Sequence, residues 1–401
     1  MKPSEITSEQ IASRQAWQIL SDSELNESPL EVVQHLCLVF ALLALALSVR
    51  LILQHLRHFS QPIIQRKIIA ILWMVPIYSI TSWLSLQYVS FSMFLDMARD
   101  CYESFVIYMF FALCYCYIGQ IDRERCESSR IHAALVAKGS VDHIFKFPEW
   151  TGVCNTIDLS SSPGSFLFSC KRYILQFVLV KPLSTILAIA LASHFDKYET
   201  GNFSLRNGYI YVTTIVNVSI SLSMYWLVMF YLATKESLLP FGPVPKFWCI
   251  KGVLFFSYWQ SVIIAVLVKL GIITDIPIIH YSVEHVAATV QNALICVEML
   301  GFAVAHTFAF SAQPFYFLPT RMNSLNLREP VVTSSARAML RNAIDLRDMV
   351  EDIQEVAPEL PKFLRRNSAL VIPAARAELR VLVPSAQGLA TLNQYHSEQI
   401  Q

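Results

Sequence analysis

Long apolar stretches alternate with shorter polar segments along the first 312 residues of this 401-residue chain. Seven of these stretches are each close to the ~20 residues that a helix needs to cross a hydrocarbon core of ~30 Å. The pattern predicts an all-α integral membrane protein, with a domain of seven transmembrane helices over residues 32–312. The predicted spans cover residues 32–53, 68–90, 102–118, 173–193, 209–233, 248–273 and 290–312.

The composition agrees with a membrane location. Hydrophobic residues make up 54% of the chain, the mean hydropathy is +0.46 and charged residues make up 15%, against about 25% in soluble domains. Residues 1–31 are polar and lack the apolar core of a signal peptide, so the first span is expected to anchor the chain. Pro76 lies inside the second span and predicts a kink there.

The distribution of Lys and Arg between the loops predicts the orientation of the helices. The first loop has three basic residues and the fifth has two, whereas loops two and six share only Arg99. Positive charge is retained on the cytoplasmic side of a membrane. The amino-terminal tail, residues 1–31, is therefore expected to be extracellular or lumenal, and the carboxyl-terminal tail, residues 313–401, to be cytosolic.

Asn26 and Asn202 each begin an Asn-x-Ser sequon in a segment assigned to the outside, which predicts a glycoprotein. The nine cysteines show no disulfide framework. Three cysteines lie near the predicted cytosolic boundary, namely Cys114, Cys116 and Cys249. Each is expected either to be reversibly acylated or to stay an unmodified thiol. No Cys or His spacing is typical of a zinc site, so we expect no metal and no cofactor.

Two soluble parts are expected on the cytosolic side. Loop three, residues 119–172, is too long for a simple turn, and its Pro163-Gly164 pair predicts a flexible piece. The carboxyl-terminal tail has helical apolar spacing over about residues 335–356. This amphipathic helix is expected either to pack on the bundle or to bind a partner.

Two charged side chains lie deep within predicted spans. Lys181 is eight residues into the fourth span and Glu298 is eight residues into the seventh. Each charge costs about 2.5 to 3.5 kcal/mol at the centre of a membrane helix unless a partner or water compensates it. One interpretation is a buried ion pair between the two that fixes the helix register. In the other, Lys181 receives an anionic substrate group and Glu298 binds a proton or a cation.

Other polar side chains in or near the spans are further candidates for substrate or ion binding. For Asn217 and Gln260 the simpler interpretation is hydrogen bonding between helices. Glu103 and the neighbouring Asp100 lie at the expected outer mouth of span three, where they would gather cations or anchor the helix. The set comprises Gln260, Gln291, Asn292, His306, Asn217 and Glu103.

A series of motifs in this order resembles the organic solute transporter alpha family, in its transmembrane protein 184 branch. They include HLRHFSQP (55–62), LWMVPIY (72–78), DCYE (100–103), the Lys181-Pro182 pair, FSYWQ (256–260) and the segment from Gln291 through Glu298 to His306. Asn292 and Gln260 also match family positions. The chain departs from the family at Cys116, where an acidic residue is usual.

The resemblance implies a seven-span transporter that moves amphipathic organic solutes, such as steroid conjugates or bile-acid-like anions, by facilitated diffusion. It implies membrane lipids as surroundings, a plasma or endosomal/vacuolar membrane, and either a single-span beta subunit or a homo-oligomer; nucleic acid is not an expected partner. One alternative is a trafficking or signalling scaffold. Another is a seven-helix receptor, although loop four has no Cys to pair with Cys101. No Ser-His-acid set points to an enzyme.

Overall fold

The computed structural model describes residues 29–88, 92–120, 126–144, 155–195, 206–272, 283–316 and 347–356. Most of them are helical. The helices are α1 (Pro29–Arg57), α2 (Pro62–Leu72), α3 (Met74–Gln87), α4 (Ser92–Gly119), α5 (Ser128–Lys138), α6 (Pro163–Phe195), α7 (Gly208–Leu238), α8 (Pro243–Lys269), α9 (Val283–Ala309) and α10 (Arg347–Val356). The strands are β1 (Ser140–Asp142) and β2 (Thr156–Asp158).

Six helical segments within the described residues are long and apolar enough to cross a membrane. They are Glu31–Arg57, Pro62–Gln87, Phe94–Gly119, Pro163–Leu191, Gly208–Phe241 and Val286–Phe315. Helix α8 occupies the position of the sixth predicted span, and its part Trp259–Lys269 is a shorter apolar helix. The chain is therefore a multi-pass membrane protein with a helical membrane domain.

The second span is broken, as the sequence predicts. Helix α2 ends at Leu72 and α3 begins at Met74, with Trp73 between them. Pro76 has no N–H to donate to the carbonyl of Leu72, and its ring would clash with that carbonyl in a continuous helix. The break one turn before Pro76 follows from this.

Two predicted boundaries are wrong. Helix α4 begins at Ser92 rather than at 102, so the charged residues between 96 and 100 belong to the helix and not to loop two. Likewise, Pro163-Gly164 is not a flexible piece of loop three, because Pro163 is the first residue of α6. Proline favours the first helical position, where its missing N–H would have no partner.

Loop three is folded over its described residues. Helix α5 is followed by an antiparallel hairpin in which Val141 pairs with Ile157. The carbonyl of Gly139, which has φ +79°, accepts a hydrogen bond from the Leu159 N–H at 2.8 Å. Ile131, Leu135 and Leu159 are fully buried. This α5–hairpin unit packs against α4, α6 and α7.

Helix α4 lies at the centre of the membrane domain. It packs against α2, α3 and α6, and it also touches α7 and α8. Helices α1, α3 and α9 form a second set of mutual contacts, in which Cys37, Leu86 and Cys296 are buried together.

The loop between α1 and α2 is tied to the end of α9. His55 Nε2 lies 2.9 Å from the Phe310 carbonyl oxygen, and the Ser60 hydroxyl donates to the Phe315 carbonyl at 3.2 Å. Gln65 donates to the His58 carbonyl at 2.8 Å and closes the turn. The HLRHFSQP motif thus fixes the first loop against the last span.

Helix α10 belongs to a separate unit, residues 345–401. It covers the last part of the predicted amphipathic helix, and residues 335–346 lie outside the described part of the chain. The predicted glycosylation sites, Asn26 and Asn202, lie outside it as well.

Candidate functional site

A row of charged residues runs along one side of α4. Asp96, Arg99, Asp100 and Glu103 are spaced three or four apart, which places them on a common helix face. The Arg99 guanidinium binds Asp96 at 2.9 Å and donates to the Ser82 hydroxyl at 3.1 Å. These bonds hold the first turns of α4 against α3.

Lys181 on α6 faces the same row of charges. Its Nζ lies 2.9 Å from Asp100 Oδ2, with the two side chains 16% and 41% exposed. Glu103 is also close enough to Lys181 to interact electrostatically. The ammonium of Lys181 is thus enclosed between α4 and α6, whereas the Asp100 carboxylate is more open.

Lys251 on α8 completes the group, because it interacts electrostatically with Glu103. We call the six side chains the charge cluster: Asp96, Arg99, Asp100, Glu103, Lys181 and Lys251. Three acids face three bases, so the cluster has no formal net charge when all six are ionised. Charged side chains are tolerated at this position in a membrane helix because the acids and bases neutralise each other, whereas an unpaired charge would be costly.

Of the two interpretations of Lys181 and Glu298, the structure contradicts the ion pair between them. Lys181 bonds Asp100, whereas Glu298 on α9 accepts a hydrogen bond from Gln260 Nε2 on α8. Their similar depth brought Lys181 and Glu298 together in the prediction, but depth does not determine which helices are neighbours. Lys181 and Glu298 thus belong to separate polar sites, the first to the charge cluster on α4 and the second to a Gln260–Glu298 pair between α8 and α9.

The remaining candidates occupy other positions. Asn292 is 5% exposed and donates to the Ala288 carbonyl at 3.1 Å. His306 is 1% exposed and packs its ring edge-on against Phe310, with 5.5 Å between centroids. Gln291 is half-buried, and Asn217 is exposed on the outer face of α7. None of these four belongs to the charge cluster.

A polar contact between α6 and α7 lies two residues from Asn217 in the sequence, on a different face of α7. The Ser219 hydroxyl donates to Gln176 Oε1, and Gln176 Nε2 donates to the Ser219 carbonyl, both at 2.8 Å. Serine and glutamine side chains commonly hydrogen-bond helices together within membranes. Ser219, which the sequence analysis missed, therefore has the bridging position that was considered for Asn217.

An apolar cavity of ≈ 210 Å³ lies beyond the charge cluster, between α4, α7 and α8. Phe110, Cys114, Phe230 and Phe247 are among its lining residues. Phe110 and Cys114 follow Glu103 by seven and eleven residues, so they lie on the same face of α4. The burial of Cys114 and Cys116 leaves neither thiol on the surface that an acylating enzyme would reach.

The cavity and the charge cluster share the α4–α8 interface. The rings of Phe110 and Phe247 lie 5.9 Å apart, one helical turn along α8 from Lys251. One interface thus joins charged groups at one level of the bundle to an apolar space about 10 Å further along α4. Such an arrangement can hold a molecule that has an ionic group at one end and an apolar body at the other.

Apolar helices around an internal, charge-compensated polar site are typical of multi-pass proteins that pass polar or charged groups through a bilayer. The family model of the organic solute transporter Ostalpha matches residues 33–315, and the chain belongs to this family. The family is one of solute transporters, which fits a protein that is not an enzyme; the transmembrane protein 184 branch stays a prediction. No solved structure matches the chain.

The sequence analysis missed part of the cluster. Asp96 and Lys251 were not among the predicted site residues, and Arg99 was counted only as a basic residue of the loops. The spacing of three to four residues from Asp96 up to Glu103 is the signal that α4 continues towards its amino end.

Proposed function

We propose that this protein is a facilitative transporter of amphipathic organic anions, such as steroid conjugates, bile-acid-like anions or related lipids. Its membrane domain would have seven spans, with α8 as the sixth, an outside amino end and a cytosolic carboxyl end. Family membership supports transport in general. The observation that supports an anionic substrate is the position of Lys181. This lysine is enclosed among the spans, and its carboxylate partner, Asp100, can be displaced.

The mechanism is an exchange of partners at Lys181. The ammonium is the more enclosed member of the ion pair and Asp100 the more open one. An incoming sulfate or carboxylate therefore replaces Asp100 without leaving Lys181 unpaired, which avoids the large cost of an isolated charge in the bundle. Departure of the solute lets Asp100 return. Because the exchange needs no energy input, the solute moves down its own gradient.

The apolar body of the solute lies along the α4–α8 interface towards the cavity. At ≈ 210 Å³ the cavity exceeds the ~150 Å³ that accommodates benzene, and it is smaller than the ~300–1,000 Å³ typical of sites for drug-sized ligands. It holds a single ring or a short chain in this conformation. A steroid-sized body requires α8 to move away from α4 during binding.

The test is uptake of labelled steroid sulfates, bile acids and long-chain carboxylates into vesicles that contain the purified chain. Wild type is compared with Lys181→Ala, with Lys181→Arg, which keeps the charge, and with Lys269→Ala as a control at the far end of α8. A charge-assisted hydrogen bond contributes ~1.5–3 kcal/mol, so Lys181→Ala should raise the half-saturation concentration about 10- to 100-fold.

Lys181→Arg should retain part of the uptake, and Lys269→Ala should behave as wild type. Saturable wild-type uptake that is unchanged in folded Lys181→Ala would place the anion elsewhere. If wild type takes up no member of the panel, with or without a candidate beta subunit, a trafficking or signalling scaffold becomes the better account.

A further inference from the structure

The Gln260–Glu298 pair between α8 and α9 has an incomplete set of hydrogen bonds. Gln260 Nε2 donates to Glu298 Oε1. The other two oxygens, Gln260 Oε1 and Glu298 Oε2, are buried and have no hydrogen-bond partner within the described part of the chain. An ionised carboxylate and an amide oxygen both only accept hydrogen bonds. If Glu298 were ionised, both of these buried acceptors would lack a donor.

A single proton resolves both deficits. Placed on Glu298 Oε2, it turns that oxygen into a donor, and the side chain that already bonds Glu298 carries an acceptor without a donor, Gln260 Oε1. The acid and the amide then close a ring of two hydrogen bonds, in which each side chain donates once and accepts once. Buried polar groups are paired in nearly all native structures, so the protonated form is the one that matches this geometry.

Glu298 has no ionic partner within the described part of the chain. No charged side chain among the described residues is close enough to affect it electrostatically. On α8 the nearest are Lys251 and Lys269, each nine residues from Gln260 and hence ~14 Å away along the axis. From α1 the titratable groups are those of Glu31, His35, Cys37, Arg50, His55 and Arg57, from α3 that of Tyr78, and on α9 itself, among the side chains that the structure describes, those of Cys296 and His306.

We propose that Glu298 is a proton-binding site, in which the carboxylic acid and the Gln260 amide form a closed hydrogen-bonded pair across α8 and α9. Of the two ligands considered for Glu298, the geometry thus selects the proton over a metal cation. A bound cation would be surrounded by oxygens, whereas Gln260 presents its N–H group to Glu298. The protonation state is a property of the folded chain and does not rest on the proposed transport.

The experiment is infrared difference spectroscopy of the purified full-length chain in lipid nanodiscs at neutral pH. Wild type minus Glu298→Gln should contain the carbonyl-stretch band of a protonated carboxyl group, and the band should shift in D₂O. Gln260→Leu should move this band to higher frequency, because the acid loses its hydrogen-bonded partner. Glu103→Gln, which changes the glutamate of the charge cluster, should leave the Glu298 band in place.

Glu298→Gln is expected to fold, since two amides close the same ring. Its thermal unfolding temperature should stay constant as the pH rises above the ordinary titration range of a glutamate, whereas wild type should lose stability over that rise, because unfolding then releases the proton of Glu298. A difference spectrum that shows only the loss of an ionised carboxylate would overturn the proposal. Equal pH dependence of unfolding in wild type and Glu298→Gln would also overturn it, and neither result depends on whether the vesicles transport any solute.

Discussion

The ion pair between α4 and α6 can be tested by a double-mutant cycle. The variants are Lys181→Met, Asp100→Leu and the combination of both, which replaces the charges by apolar side chains of similar length. Each single variant leaves one charge without its partner, whereas the double variant removes both. The cycle therefore isolates the coupling between the two side chains from their separate contributions.

The expected magnitude follows from the geometry. Two unit charges ~4 Å apart interact by ~4 kcal/mol at an effective dielectric constant of ~20. The side chain of Asp100 is 41% exposed, so the interaction is screened more than a fully buried pair, and we expect a coupling free energy of about 2 kcal/mol. Each single variant should be destabilised by about 2–3 kcal/mol, below the ~3–5 kcal/mol of a fully buried broken pair. The double variant should then be destabilised by about 2–4 kcal/mol, which is less than the sum of the two single variants.

The assay is reversible unfolding in mixed micelles of lipid-like detergent and SDS, followed by tryptophan fluorescence. A second cycle, with Lys269→Met in place of Lys181→Met, is the matched control and should show no coupling with Asp100→Leu. Coupling of less than ~0.5 kcal/mol in the first cycle would contradict the ion pair, because contacting charges enclosed by helices couple more strongly than that.

Two further predictions each compare a pair of positions, the first on α7 and the second on α8 and α9. Ser219→Ala should destabilise the protein by ~1 kcal/mol through loss of its hydrogen bond to Gln176, while Asn217→Ala, on the outer face of the same helix, should change the unfolding temperature little. A Cβ at Gly252 would lie 2.9 Å from a phenylalanine ring of α9, so Gly252→Ala should cost about 1–3 kcal/mol. Gly301→Ala, where a Cβ meets nothing within 4 Å, should be neutral or stabilising by up to ~1 kcal/mol in the same measurement.

The membrane helices could largely be predicted because their signal is local. A run of ~20 apolar residues identifies a span, and Pro76 breaks its helix for reasons that lie within one turn of the chain. The start of α4 was predicted wrongly because only this local signal was used. Asp96, Arg99 and Asp100 look like a loop when each residue is judged by its own polarity, and only their pairing with Ser82 and Lys181 makes them acceptable in a helix.

The pairing of side chains across helices could not be obtained in this way. The sequence indicates how deep Lys181 and Glu298 lie, but not that α6 packs on α4 and α9 on α8. To predict which side chains pair, both their depth in the membrane and the packing of their helices must be known. The same limit explains Asn217, whose polarity suggests a contact between helices although its helix turns it outward.

The length of α6 has a mechanical consequence. Its 33 residues extend ~50 Å, well beyond the ~30 Å of a hydrocarbon core. The α5–hairpin unit packs beside its first turns, and Pro182 lies next to Lys181, ~29 Å along the axis from Pro163. A bend at Pro182 would therefore move the amino-terminal half of α6 together with the α5–hairpin unit that packs on it.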